Sequence, residues 1–153
     1  MENKKNIDQY WSTFLQAKNL APDTKWLDVF HFELTEKWAN ILLDLVLQGK
    51  KRATCSSLVS FEQEGIMPKE GDYSIVTDWD GNPRCVIQTV KVTHMKFKDM
   101  TFAICSKEGE DDSLESWRNN HISFFTREGK EECGYEFSED MPIVFEEFEV
   151  VYQ

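Results

Sequence analysis

The sequence lacks the pairings that announce a disulfide framework or a zinc site. Its four cysteines, Cys55, Cys85, Cys105 and Cys133, stand far apart, with no Cys-x-x-C and no Cys/His cluster, so free thiols are expected. It also lacks an apolar leader. Met-Glu-Asn-Lys-Lys-Asn runs into an amphipathic segment, and no apolar run approaches the length of a membrane span. Together these absences point to a reducing cytoplasm and to no membrane partner. Positive charge is scarce as well: 17 Lys and Arg against 28 Asp and Glu give a formal charge of −11. Such a field repels a polyanion and argues against sequence-blind binding to duplex DNA. It leaves open one nucleoside, or a short RNA segment met by a local basic patch. No internal repeat or low-complexity tract is visible.

What is present suits one domain. A chain of 153 residues with 41% hydrophobic and 13% aromatic residues can bury a core. Asn6 with Gln9 has the form of a capping box, and Ile7, Tyr10, Trp11, Phe14 and Leu15 recur at helical spacing, predicting a first helix of about three turns. Residues 19–28, with Pro22, read as a loop. Val29 to Leu34 reads as a short strand or an extended approach to a second helix, which Thr35 caps. Trp38, Ile41, Leu42, Leu45 and Val46 fall on one face of that helix, and Gly49 ends it as a left-handed C′ residue.

Ser57 to Phe61, Tyr73 to Thr77 and Cys85 to Thr93 then read as strands, the last two joined as a hairpin through Asp80-Gly81-Asn82-Pro83. Asp72 is expected to bond backbone, and His94 to be structural or exposed. Asp112 with Glu115 predicts the start of a further helix with Leu114, Trp117, His121, Ile122 and Phe125 on one side and Arg118 at its border. His121 reads there as a core histidine. Residues 127–140 read as a loop with one short strand at Gly134 to Phe137, and Ile143 to Tyr152 as a closing strand with one buried face. Short strands separated by turns give an α+β class and favour a small barrel over a parallel sheet.

The stretch Gly49-Lys50-Lys51-Arg52-Ala53-Thr54-Cys55-Ser56 admits two readings. Cations just past a helix end are favoured by about 0.3–1 kcal/mol each through the macrodipole, and need no ligand. Alternatively, a tight turn or strand entry brings the Lys51 ammonium beside the Thr54 hydroxyl. A threonine becomes a nucleophile when a neighbouring base takes its proton, and a lysine relieved of its own proton by burial or by the cations Lys50 and Arg52 is such a base. Cys55 is a second candidate nucleophile. Further on, Glu108 and Glu110 have no helix-capping role, so either can turn inward to meet a cation. Their acidic run lacks the ligand spacing of a calcium loop, and no metal or cofactor is expected.

In order along the chain, Leu45 to Thr54, Gly71-Asp72, Glu108-Gly109-Glu110 through Arg118 with His121, and the closing strand resemble the ASCH domain family. The resemblance runs from about Val29 to Tyr152. It implies a PUA-like β-barrel of about five or six strands with N-terminal helices and one inserted helix. Residues 1–153 would then form a single ASCH domain, with 1–28 a helical extension packed on it. The chain is most similar to a bacterial subgroup with an extra N-terminal helix, described as candidate RNA-binding proteins. A small relative in the wider family removes the acetyl group from N-acetylated cytidine through a lysine, a threonine three residues later and a distant glutamate. Carried over, this amidohydrolase pattern implies Lys51 and Thr54 as catalytic. Its glutamate falls on Glu110 if aligned on the helix start, and on Glu108 if aligned on the preceding apolar run. Other ASCH proteins are proposed to bind or cleave RNA, which implies substrate or RNA contacts from Lys50, Arg52, Ser56 and Arg118. The implied partner is RNA or a small nucleoside.

Overall fold

The apolar stripe of the first helix is where the fold begins. In the computed structural model, which describes residues 2–153, helix α1 spans Glu2–Ala17 and buries Trp11, Phe14 and Leu15 against Ile75 and Val86. Trp11 Nε1 donates to the Thr24 carbonyl and ties the returning loop to the helix. Asn6 lies inside α1 and is not its cap. The apolar repeat starts only at Ile7, whereas the polar residues before it are also compatible with helix and extend it upstream.

Strand β1, Asp28–Phe30, leads to helix α2, Glu36–Leu47, whose Thr35 cap accepts from Trp38 N. Helix α2 buries Ala39, Leu42, Leu43 and Val46 against Val76, Cys85, Ile87 and Phe148. The buried face is therefore rotated from the predicted one, and Trp38 and Ile41 are 49% and 37% exposed. Ala39 explains the rotation, because a small side chain lets the helix approach the sheet. Gly49 ends α2 as expected: it adopts φ 77°, its N–H donates to Val46 O, and Lys50 N donates to Leu45 O, the paired bonds of a Schellman motif.

The chain then enters β2, Ala53–Ser57. The predicted strand at Ser57 to Phe61 is instead the start of helix α3, Leu58–Glu64, capped by the Ser57 hydroxyl, which accepts from Ser60 N. A short apolar run fits either period, and the serine cap decides it. The hairpin forms as read, from β3, Tyr73–Thr77, and β4, Pro83–Lys96. Asp72 accepts from the Lys69 backbone, and His94 is exposed.

After the short helix α4, Phe102–Cys105, helix α5 spans Leu114–Glu128. Its cap is Ser113, which accepts from Ser116 N, while Asp111 accepts from the Ser116 hydroxyl and Asn120. Asp112 is thus not the cap. Trp117 and Phe125 of α5 pack on Phe97, Ile143 and Phe145. The helix runs on into a π-turn at Gly129–Cys133, and Gly134 to Phe137 forms no strand.

Strand β5, Pro142–Tyr152, completes a five-stranded sheet of order β1-β3-β4-β5-β2. β1 runs parallel to β3 and the other pairs are antiparallel. β5 is buried on both faces from Ile143 to Glu146, where α5 covers one of them; the predicted one-sided alternation holds only from Glu147 to Glu149, beyond which Val150 packs with α2 and Val151 and Tyr152 with α1. The sheet curls into a half-barrel, so that its edge strands β1 and β2 both line one cavity. Among the described residues no helix is long and apolar enough to cross a membrane.

Candidate functional site

Two segments cross at Lys51. The Schellman turn directs Lys50 to Arg52 against the Glu108-Gly109-Glu110 turn, where Arg52 N donates to Lys107 O. Gly109 adopts φ 71°, and a Cβ there would lie 2.2 Å from the Lys50 carbonyl oxygen, so only glycine permits the approach. The crossing brings both flanking glutamates to the lysine. Lys51 Nζ lies 3.6 Å from Glu108 Oε1 and 3.1 Å from Glu110 Oε1, and donates to Ala53 O at 2.7 Å. Lys51 is 1% exposed and Glu108 2%.

Glu108 is held from its other side by α5. Its Oε2 accepts from Trp117 Nε1 and lies 3.4 Å from His121 Nε2. His121 stacks on Trp117 with ring centroids 4.2 Å apart, and its Nδ1 must donate to Trp117 O, 2.9 Å away. Nε2 therefore carries a proton toward Glu108 only in the imidazolium. Burial works against that charge, but Glu108, with Glu110 behind it, outweighs burial and raises the His121 pKa. Burial would also raise Glu108, yet Lys51, His121 and Trp117 bring it below the usual carboxylate range. Glu110 is raised, by burial first and by Glu108 next, against the pull of Lys51. Glu110 thus holds a proton more readily than Glu108. Glu108, Glu110 and His121 have ligand atoms within 4.8 Å of one another, a donor set that suits a metal in type. The Lys51 ammonium lies against both glutamates of that set, so an ion would have to displace it.

Beside this knot lies a cavity of about 220 Å³. The Phe32 ring forms part of its wall, and Lys51 Nζ lies 5.2 Å from the ring centroid. Thr54 and Ser56 line it from β2, and the Thr54 hydroxyl has no side-chain hydrogen bond among the described residues. The expected Lys51–Thr54 bond is not formed, because Ala53 O and the two glutamates draw the ammonium away. Directly opposite Thr54 in the β2–β5 ladder stands Glu146, 6% exposed, whose Oε2 accepts from the Thr89 hydroxyl. Burial raises the Glu146 pKa and, with Glu64 adding, raises Asp28 to about 6. Four strands line this interior with polar side chains, Asp28 from β1, Thr54 and Ser56 from β2, Ser74 from β3 and Glu146 from β5, and β4 reaches it only through the Thr89 hydroxyl on Glu146.

The remaining sequence candidates lie elsewhere. Lys50 and Arg52 are exposed and do not line the cavity. Arg118 pairs with Glu139 and lies 5.2 Å over the Phe97 ring, so it is not brought to the site. Cys55 is buried and its thiol is pushed well up by burial and then by Glu108, which removes the thiolate reading. Sequence reasoning placed His121 in the core and passed over Asp28 and Glu146. The signal for Glu146 was its phase in β5, shared with the inward Phe148 and Val150.

Comparisons with known proteins agree with this architecture. The ASCH domain family profile matches residues 28–152. The chain is similar to the crystal structure of an ASCH domain from Lactobacillus crispatus JV V101, with 36% identity and a TM-score of 0.81 over 99% of this chain and 94% of that one. It is also similar to a protein of Enterococcus faecalis V583 described as DUF984, with 34% identity and a TM-score of 0.87 over 97% of this chain and 89% of that one. No curated protein matches it. A profile match from β1 to the end of β5, together with these two folds, identifies the chain as a member of the ASCH domain family.

Proposed function

We propose that the cavity receives a single nucleoside-like ring and that Thr54 cleaves an N-acyl amide carried by that ring. The observation behind this is an uncommitted Thr54 hydroxyl on a cavity wall, three residues from a buried lysine held by two glutamates. Thr54 Oγ1 adds to the acyl carbon as its proton passes to Lys51; for this the amine turns from Ala53 O toward Thr54 and leaves its own proton on Glu110, the more basic carboxyl of the pair. The C–N bond breaks, the amine leaves with the proton from Lys51, and water hydrolyses the acyl-threonine ester to free Thr54 and a carboxylic acid. Glu108, locked by Trp117 and His121, fixes the ammonium. General acid–base assistance of this kind contributes about 10²–10⁴-fold. Four free thiols fit a reducing cytoplasm.

The test is incubation with a panel of N-acylated nucleosides, followed by chromatography of the products. Thr54→Ala abolishes turnover with its fold intact, and a panel left untouched by the wild type refutes the reading. RNA binding or ribonuclease action through Lys50 and Arg52 is the competing reading. It has less support because those cations lie off the cavity and the formal charge is −11. Salt-sensitive RNA binding that is lost in Lys50→Glu and Arg52→Glu would favour it instead.

A further inference from the structure

The wall of the cavity constrains what enters it. Resting on the reading above that this cavity is the ligand site, we propose that Glu146 is its specificity residue, binding a neutral or cationic ring that offers N–H donors, and that the cavity excludes ligands carrying phosphate.

Glu146 is more than nine-tenths buried, yet no cation accompanies it. One oxygen accepts from Thr89; the other has no partner among the described residues, and the side chain faces the cavity. A buried carboxyl of this kind is costly to maintain unless something completes its hydrogen bonds. No side chain of the wall bonds the second Glu146 oxygen: Asp28, Glu33, Glu64 and Glu128 share the lining, and His31 is its one basic side chain among the described residues. That oxygen is open to the cavity and not sealed in the core, so a ligand's N–H groups can complete it, with or without positive charge. A phosphate would meet the carboxylates of this wall, while the nearby Lys51 ammonium is already committed to Glu108, Glu110 and Ala53 O and neither Lys50 nor Arg52 lines the cavity.

Size and shape narrow the class. About 220 Å³ is smaller than the roughly 300–1,000 Å³ of sites for drug-sized ligands, so one ring system fits and an oligonucleotide does not. Phe30, Phe32, Phe61 and Phe124 supply flat apolar walls. Side chains directly opposed across an antiparallel ladder have Cβ atoms about 4.5–5.5 Å apart. A ring amine on Glu146 therefore sits beside Thr54, its partner in the ladder.

The test is calorimetric titration of the full chain at pH 7 with adenosine, cytidine, uridine and the three corresponding 5′-monophosphates. The expected result is that an amino-bearing nucleoside binds and its monophosphate binds at least about tenfold more weakly. Glu146→Gln, which keeps an acceptor for Thr89, is expected to weaken that nucleoside about 10- to 100-fold, the worth of a hydrogen bond to a charged group. Equal affinity for nucleoside and monophosphate, or no loss in Glu146→Gln, overturns the inference and leaves the functional reading standing. No binding of any nucleoside by the wild type overturns both. The comparison of nucleoside with monophosphate uses the wild type alone and decides the phosphate claim even if the variant fails to fold.

Discussion

Gly109→Ala tests whether the crossing of two backbones holds the site together. Two costs arise. An alanine at φ 71° occupies a left-handed conformation, at about 1–2 kcal/mol. Its Cβ also lies 2.2 Å from Lys50 O and 2.8 Å from Lys50 C, and backbone cannot rotate aside as a side chain can. The turn must lift, which breaks the Arg52 N to Lys107 O bond and carries Glu108 and Glu110 away from Lys51. Parting a buried ion pair costs about 3–5 kcal/mol, so the sum is about 4–7 kcal/mol in a domain whose whole stability is of order 5–15. Gly49→Ala is the control. It has a similar angle, φ 77°, but its Cβ would meet nothing within 4 Å, so only the conformational cost remains. Urea unfolding followed by circular dichroism separates them. With a slope of about 2 kcal/mol per molar, Gly109→Ala moves the midpoint by about 2–3.5 M and Gly49→Ala by about 0.5–1 M. Equal midpoints for the two variants would refute the claim that contact, rather than backbone angle, makes Gly109 necessary.

Two further perturbations address the buried charges. Lys51→Met leaves Glu108, 2% exposed, without its lysine and is expected to cost about 3–5 kcal/mol; adding Glu108→Gln should recover part of that loss in a double-mutant cycle of urea midpoints. Asp28, raised from 3.8 to about 6, binds its proton more tightly in the folded state, so its ionisation erodes stability as pH rises between those values. Asp28→Asn should therefore stabilise by about 1–2 kcal/mol at pH 8 and by almost nothing at pH 3.5, the figure being discounted for partial exposure; a gain that does not depend on pH counts against this assignment.

Local chemistry was legible where one residue decides one turn. Asp80-Gly81 marked the hairpin, Gly49 the helix stop and Thr35 the helix start, each through a backbone preference that needs no distant partner. Asn6 and Asp112 failed as caps because neighbouring polar residues can also start a helix, whereas Ser57 to Phe61 failed as a strand because a short apolar run fits either period until the Ser57 cap decides it. The rotation of α2 depended on Ala39, whose small size matters only once a sheet lies beneath it. At the candidate site, the residues marked Lys51 and an inward glutamate of the Glu-Gly-Glu turn, and the structure brings both Glu108 and Glu110 to the lysine. The glycine between them lies on the Lys50 backbone, and both carboxylates reach the ammonium. Glu146 stayed hidden among Glu147 and Glu149, because composition masks a single inward position that strand phase alone identifies.

The sheet order has a consequence for how the protein is made. β2, which bears Thr54, has one partner strand, and that partner is β5, the last strand of the chain. A nascent polypeptide still short of Pro142 can form α2 and the hairpin, but it holds Thr54 on an unpaired ribbon. Pairings so remote in sequence form late, because a long loop must close before any contact rewards it. The cavity wall that carries Thr54 would then be set only once β5 has paired, however early α2 and the hairpin have formed.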